Sequence, residues 1–259
     1  MDLHIPVKAN RKLEMVLAKI NADEELFTLL QCANVVAIDR LGYNDHGPTH
    51  VKIVANIALK MLRMLVEAGQ IPGIVKDHKL HNDDAEVVVV LASVLHDIGH
   101  IVHREEHEKY SIPLAFRFMD RLLDGVYPVR ERTIIAADVL HAIICHDTLM
   151  KPLTLEAGII RVADGLDMEK GRARIPFNAG EINIHSVSAM AIDKITIEAG
   201  DDKSKPIKVL IDMSNSAGIF QVDELLGEKL KDSGIENLVK VIVQVRPEGE
   251  TRIIDKFEF

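Results

Sequence analysis

A histidine beside an aspartate closes the most apolar stretch of this chain. Leu95-His96-Asp97-Ile98-Gly99-His100 follows Val87 to Leu95, a run that can only be deeply buried. An ionised carboxylate left alone in such a place carries a heavy desolvation penalty, so buried charges are normally paired or bound to a metal. Imidazole and carboxylate are ligand types that a divalent cation accepts together. Further side chains of these two kinds are His50, His107, His146 and Asp164, with His46, His100, His103 and His141 as extras. Each lies near the end of an expected helix or in the loop adjoining one, and helix ends can converge on a single cavity. Asp164 is the most telling, an acidic residue inside the apolar segment Ile159-Ile160-Arg161-Val162-Ala163-Asp164. One inward histidine taken alone is more often a hydrogen-bonded core residue than a ligand.

The elements that must position these groups follow from periodicity. Leu13, Val16, Leu17 and Ile20 recur at helical spacing within residues 7–40, which form one or two helices. Residues 41–48 make a loop by their Gly, Asn and Pro content, and Pro48 suits the first position of a helix reaching about Ala68. Val51, Val54, Ala58, Met61 and Leu65 share one face of it, and His50 turns inward from its first turn. After a connecting loop from Gly69 to His81, Asn82 caps the next helix. Its acidic start and its length to Ile98 outweigh the β-propensity of four consecutive valines. Helices are expected from Glu105 to about Leu123, kinked near Pro113, and from Pro128 or Val129 to about His146. Thr154 caps a last core helix. Beyond Pro176, strand-length runs occur at 191–198, 207–213, 217–222, 238–245 and 252–259, with one amphipathic helix, Asp223 to Lys231, closed by Gly234. The expected fold is mainly α, a helical bundle over residues 1–178, followed by a smaller α+β unit over 179–259.

Composition narrows the function classes. With 40 acidic against 31 basic residues the net charge is −9, and nucleic acid, bound chiefly through Lys and Arg, is not an expected partner. No apolar run reaches the roughly 18 residues that a membrane span needs. The N-terminus has no basic segment followed by an apolar core, so a cytoplasmic location is expected. Cys32 and Cys145 are too few and too far apart for a disulfide scaffold or a zinc knuckle, and Cys145 fits a small buried hydrophobe. The informative count is that of histidine: 12, most of them between residues 46 and 146.

Taken in order, His50, the His96-Asp97 doublet and Asp164 resemble the H…HD…D signature of the HD superfamily of metal-dependent phosphohydrolases. The likeness spans roughly residues 35 to 170, with LHDIGH after a buried helix and RVADGLD at its end. It implies an HD-domain helical bundle in which His50, His96, Asp97 and Asp164 bind a first metal. In the binuclear branch two more histidines lie between the doublet and the last aspartate, and the doublet aspartate bridges both ions; His107 and His146 resemble those additions. His141 competes with His146, but the two are five residues apart, about 500° of helical turn, and cannot share a face. The cofactors implied are two divalent ions of the Mn, Fe, Co, Ni or Zn kind.

The activity implied is attack by metal-activated water on the phosphate ester of a small molecule, a nucleotide being the first expectation. Asp97 and His100 are the expected catalytic residues, with His46 and His103 as further proton donors to the leaving oxygen. Phosphate contacts are expected from His46, Arg40, Lys109, Arg161 and Arg172, and from Lys170 and Arg174, although the 170–174 cluster also suits a solvated linker. Asp147 or Glu108 would orient histidine rings. Cyclic-di-nucleotide phosphodiesterases of the superfamily carry HDIGK and a Gly-Tyr-Pro motif; here His100 holds the lysine position and no Gly-Tyr-Pro follows His146, which speaks against that substrate. The same ligands also suit a di-iron oxygenase of the inositol-oxygenase type, or a nucleotide-sensing module with little turnover. The α+β unit is expected to form a subunit interface through exposed strands such as Val239 to Val245 and Ile253 to Phe259, giving a homodimer or higher homo-oligomer.

Overall fold

Burial decides the conformation of the valine run. In the computed structural model, which describes residues 2–171, 188–245 and 256–258, these valines lie in the helix Asn82–Leu95, and every side chain from Val87 to Leu95 is removed from solvent. Valine costs a helix up to about 0.7 kcal/mol relative to alanine. Burying its side chain contributes about 1.5 kcal/mol or more. Packing therefore overrides propensity. The helices are α1 (Arg11–Ala22), α2 (Glu24–Asn34), α3 (Pro48–Glu67), α4 (Gly73–His78), α5 (Asn82–Leu95), α6 (His107–Leu123), α7 (Val129–Ile144) and α8 (Leu155–Gly165), and α2 continues into a π-helix, Val35–Arg40. α5 is central and packs against α1, α3, α4, α7 and α8.

Several boundaries differ from expectation. His81, rather than Asn82, caps α5 in a reciprocal pair with Asp84. The fully buried Asp84 also accepts from Lys12 Nζ at 2.8 Å and Tyr127 OH at 2.9 Å. Within the expected loop 69–81 lies α4, whose leading N–H groups, on Gly73 and Ile74, donate to the Glu156 carboxylate at 2.8 and 3.0 Å. α6 begins at His107 and contains Pro113. α7 ends at Ile144, which leaves His146 in the turn beyond it. Thr154 caps α8 as expected, accepting from Ala157 N–H at 3.2 Å. Among the described residues no helix is long and apolar enough to cross a membrane.

The α+β unit contains one sheet in the order β1 (Ile192–Asp202), β2 (Lys205–Met213), β3 (Val239–Val245), β4 (Lys256–Glu258). β1–β2 and β3–β4 are antiparallel, whereas β2 and β3 run parallel with Ile207 opposite Val239 and Met213 opposite Val245. A parallel pair needs a crossover, and here it is helical: a 3-10 turn at Ser216–Gly218, a π-helix at Gln221–Gly227 and α9 (Glu228–Leu230). The strand expected at 217–222 is thus corrected; Val222 and Leu226 are buried from this helical segment. β3 lies inside the sheet, paired with β2 along its length and with β4 over residues 242–244. The edge strand β1 carries Asp193, Lys194, Glu198, Asp201 and Asp202, a charged composition that discourages strand pairing. The strand expected over 252–259 is described only at Lys256–Glu258, and Ile253 and the boundary between residues 178 and 179 lie outside the described residues.

This unit leans on α8. A Cβ at Gly158 would meet the Ser233 carbonyl oxygen at 2.3 Å, and one at Gly165, two turns later on the same face, would meet Lys229 Cδ at 3.0 Å. Glycine at both positions lets the crossover pack directly on the helix that carries Asp164.

Candidate metal centre

Five helix ends meet at one point. They bring His50 from the first turn of α3, His96 and Asp97 from the end of α5, His107 from the start of α6, His146 from the turn after α7, and Asp164 from the last turn of α8. Gly99 makes the approach of α6 feasible, since a Cβ there would lie 2.0 Å from the His107 carbonyl oxygen and 2.6 Å from Ser111 N. Ser111 ties the two segments: its Oγ donates to the His96 carbonyl at 2.5 Å and accepts from Gly99 N–H at 2.9 Å.

The second nitrogen of each ring fixes its tautomer. Nδ1 of His50 is 2.6 Å from Asp167 Oδ2, that of His96 is 2.8 Å from Ser93 O, that of His107 is 2.9 Å from Arg104 O, and that of His146 is 2.6 Å from Ile143 O. Each oxygen accepts a proton from Nδ1, which leaves the lone pair on Nε2. The four Nε2 atoms converge in two sets. Around Asp97 Oδ2 stand His50 Nε2 at 3.2 Å and His96 Nε2 at 3.4 Å, and these lie 3.2 and 3.7 Å from Asp164 Oδ1 and 3.2 Å from each other. Around Asp97 Oδ1 stand His107 Nε2 at 3.3 Å and His146 Nε2 at 3.6 Å, 2.9 Å apart. Donors held about 2.1 Å from one cation stand about 3.0–3.5 Å from each other. Lone pairs this close repel unless a positive charge lies among them, so the residues fit divalent cations.

His100 belongs with the second set. Its Nε2 is 3.6 Å from Asp97 Oδ1, and both ring nitrogens are buried with no hydrogen-bond partner among the described residues. A polar ring left so is costly, and coordination through Nε2 would satisfy one of its two nitrogens.

Without cations the cluster balances its charge by protons. Burial alone would depress His96, but Asp97 and Asp164 outweigh it and lift the imidazole to about 9. Burial would raise Asp97, yet His96, His46 and His100 hold it well below the usual carboxylate range. Asp164 is likewise pushed up by burial and brought well down by Lys229, His50 and His96. Burial drives His100 down to about 2 despite Asp97, and it drives His146 well below its ordinary value.

A cavity of about 560 Å³ opens onto the centre, lined by His46, Asp97, His107, His146 and Asp164 together with Tyr43, Arg104, Gln221, Leu225, Glu228 and Lys229. His46 bonds through Nδ1 to Asp97 Oδ2 at 2.6 Å. The other expected residues are placed elsewhere. His141 stands away from the centre, with Nε2 accepting from Leu153 N–H at 3.0 Å, whereas the turn histidine His146 stands beside His107 and Asp97. His100 is fully buried and outside the cavity lining, which removes it as a proton donor to a leaving group there. His103 is exposed and accepts from Glu105 N–H. Arg161 is a correction: its guanidinium is buried and donates to the carbonyls of Cys145, Asp147 and Met150, holding the turn that carries His146 rather than facing a phosphate. Arg40 is exposed and does not line the cavity, Lys109 pairs with Glu106, and Lys170 pairs with Asp193 at 2.9 Å. Arg172 and Arg174 lie outside the described residues.

The histidine orienters also differ from expectation. The Asp147 carboxylate bonds Thr148, and Glu108 Oε2 is 3.6 Å from His107 Nδ1, longer than a hydrogen bond. Asp167, which orients His50, carried one overlooked signal: it stands three residues after Asp164, on nearly the same side of the helix end. Arg104, 3.8 Å over the Tyr43 ring, and Lys229 at the cavity wall had none.

Residues 48–169 match the family model of the HD domain. The chain is 45% identical over 235 residues to the uncharacterized protein MJ1020 of Methanocaldococcus jannaschii, a match covering 91% of this chain and 90% of the relative. No solved structure matches it.

Proposed function

Since the chain belongs to the HD-domain family, we propose that its centre holds two divalent cations and that the protein hydrolyses the phosphate ester of a small molecule, a nucleotide first among the candidates. The observation that carries this reading is the Asp97 carboxylate, which turns one oxygen to each of two converging sets of imidazole nitrogens. Cations bound there would acidify water and draw charge from phosphate oxygens. His50, His96, Asp97 and Asp164 would hold the first, and Asp97, His107 and His146, joined by His100, the second. Asp167 keeps His50 in the ligating tautomer. His46, which bonds to Asp97 and lines the cavity, would hand a proton to the leaving oxygen.

The test is elemental analysis of protein purified without chelator, followed by assay of phosphate release from a nucleotide panel. Two metals per chain and chelator-sensitive release are expected, with both lost in Asp97→Ala. Undiminished release by the Asp97→Ala protein would remove the reading.

A further inference from the structure

We infer that Lys229, supplied by the α+β unit, anchors the phosphoryl group of the substrate beside the metal centre; this rests on the metal reading above. Its Nζ donates to Asp164 Oδ2 at 2.5 Å and to the His146 carbonyl at 3.1 Å. An ammonium has three donors, and the third has no partner among the described residues, on a side chain that lines the cavity and is 22% exposed. The position is built. Gly165 leaves room for the lysine stem, whose Cδ would lie 3.0 Å from a Cβ at that residue, so the stem crosses the end of α8 and delivers its charge to the ligand-bearing turn.

A cation so placed opposes the loading of neighbouring cations, so its use must come from an anion. Asp97, Asp164 and Asp167 bring three negative charges to the centre. Two dications and Lys229 would bring five positive ones. That surplus among the ligands and Lys229 is positive, which favours an anion there, and a phosphate oxygen at the cavity wall would take the open N–H donor. The α+β unit would thereby complete the substrate site.

Lys229→Met and Lys229→Arg, made in the full chain and loaded with manganese, test this by calorimetric titration with inorganic phosphate and by manganese retention against a chelator. Loss of one charge-assisted hydrogen bond should weaken phosphate binding about 10–100-fold in Lys229→Met. Manganese retention should be unchanged or improved, because a repelling charge is gone, and Lys229→Arg should stay near the parent for both. Wild-type phosphate affinity in Lys229→Met would overturn the inference. So would a loss of manganese restored by Lys229→Arg, which would make the lysine a support for Asp164. Failure of the parent protein to take up any divalent cation would instead overturn the metal reading itself.

Discussion

Asp167 carries a cost that a count of ligands conceals. His50 can offer a lone pair from Nε2 only while Nδ1 keeps its proton, and the Asp167 carboxylate at 2.6 Å holds that proton in place. Asp167→Ala should lower metal affinity about 10–100-fold, the usual effect of removing such a partner. Asp167→Asn, whose amide oxygen can still accept, should lose less. Competition with a chelating dye measures both, and equal affinities in Ala, Asn and parent proteins would deny the residue this role. Arg161 acts on His146 through the backbone instead. It spans the carbonyls of Cys145, Asp147 and Met150, so Arg161→Met strips three acceptors of their donor and should cost about 3 kcal/mol, read from the urea midpoint of metal-free protein.

At the scale of elements, the meeting of α5 and α6 depends on the absence of one methyl group. A Cβ at Gly99 would lie 2.0 Å from the His107 carbonyl oxygen, and no flexible side chain can yield there, because the obstacle is backbone. Gly99→Ala should cost at least the roughly 1–3 kcal/mol of an overpacked core. It should also withdraw His107 while sparing His50, His96 and Asp164, so under the proposed two-cation reading bound metal should fall from two ions per chain toward one. Retention of both ions would show that α6 adjusts freely. The contrast between these residues explains what a sequence can disclose. His50, His96, Asp97 and Asp164 were legible because each interrupts an apolar helical face, a local anomaly. His107 was visible as a ligand type but not its approach, which Gly99 permits. α4 and Lys229 were hidden because their partners are distant: Glu156 is 83 residues from Gly73, and Asp164 is 65 from Lys229. The expected strand at 217–222 failed for the reason that α5 succeeded, since burial of Val222 and Leu226 can be met by a helical segment as well as by a strand.

For the whole molecule, the centre imposes a pH optimum on stability. In cation-free protein His96 is raised from its ordinary 6.5 to about 9. The fold therefore holds a proton that the unfolded chain has shed, and this contribution is complete below about pH 6.5 and lost as pH rises through about 9. It amounts to about 3 kcal/mol, and His107 shifts the same way. Acid acts from the other side. His100 and His146 stay neutral in the fold where unfolded histidines would take protons, and Asp97 and Asp164 are held below the ordinary 3.8, so stability also falls below about pH 6.5. Cation-free protein should be most stable near pH 6.5. Cations bound as proposed would replace the proton of His96 and flatten only the alkaline limb, because in acid protons compete for the same nitrogens. Melting temperatures of chelator-treated and manganese-loaded protein should consequently diverge between pH 6.5 and 9 and converge toward pH 5. Two parallel curves over that range would mean that no cation takes the place of the proton among these imidazoles.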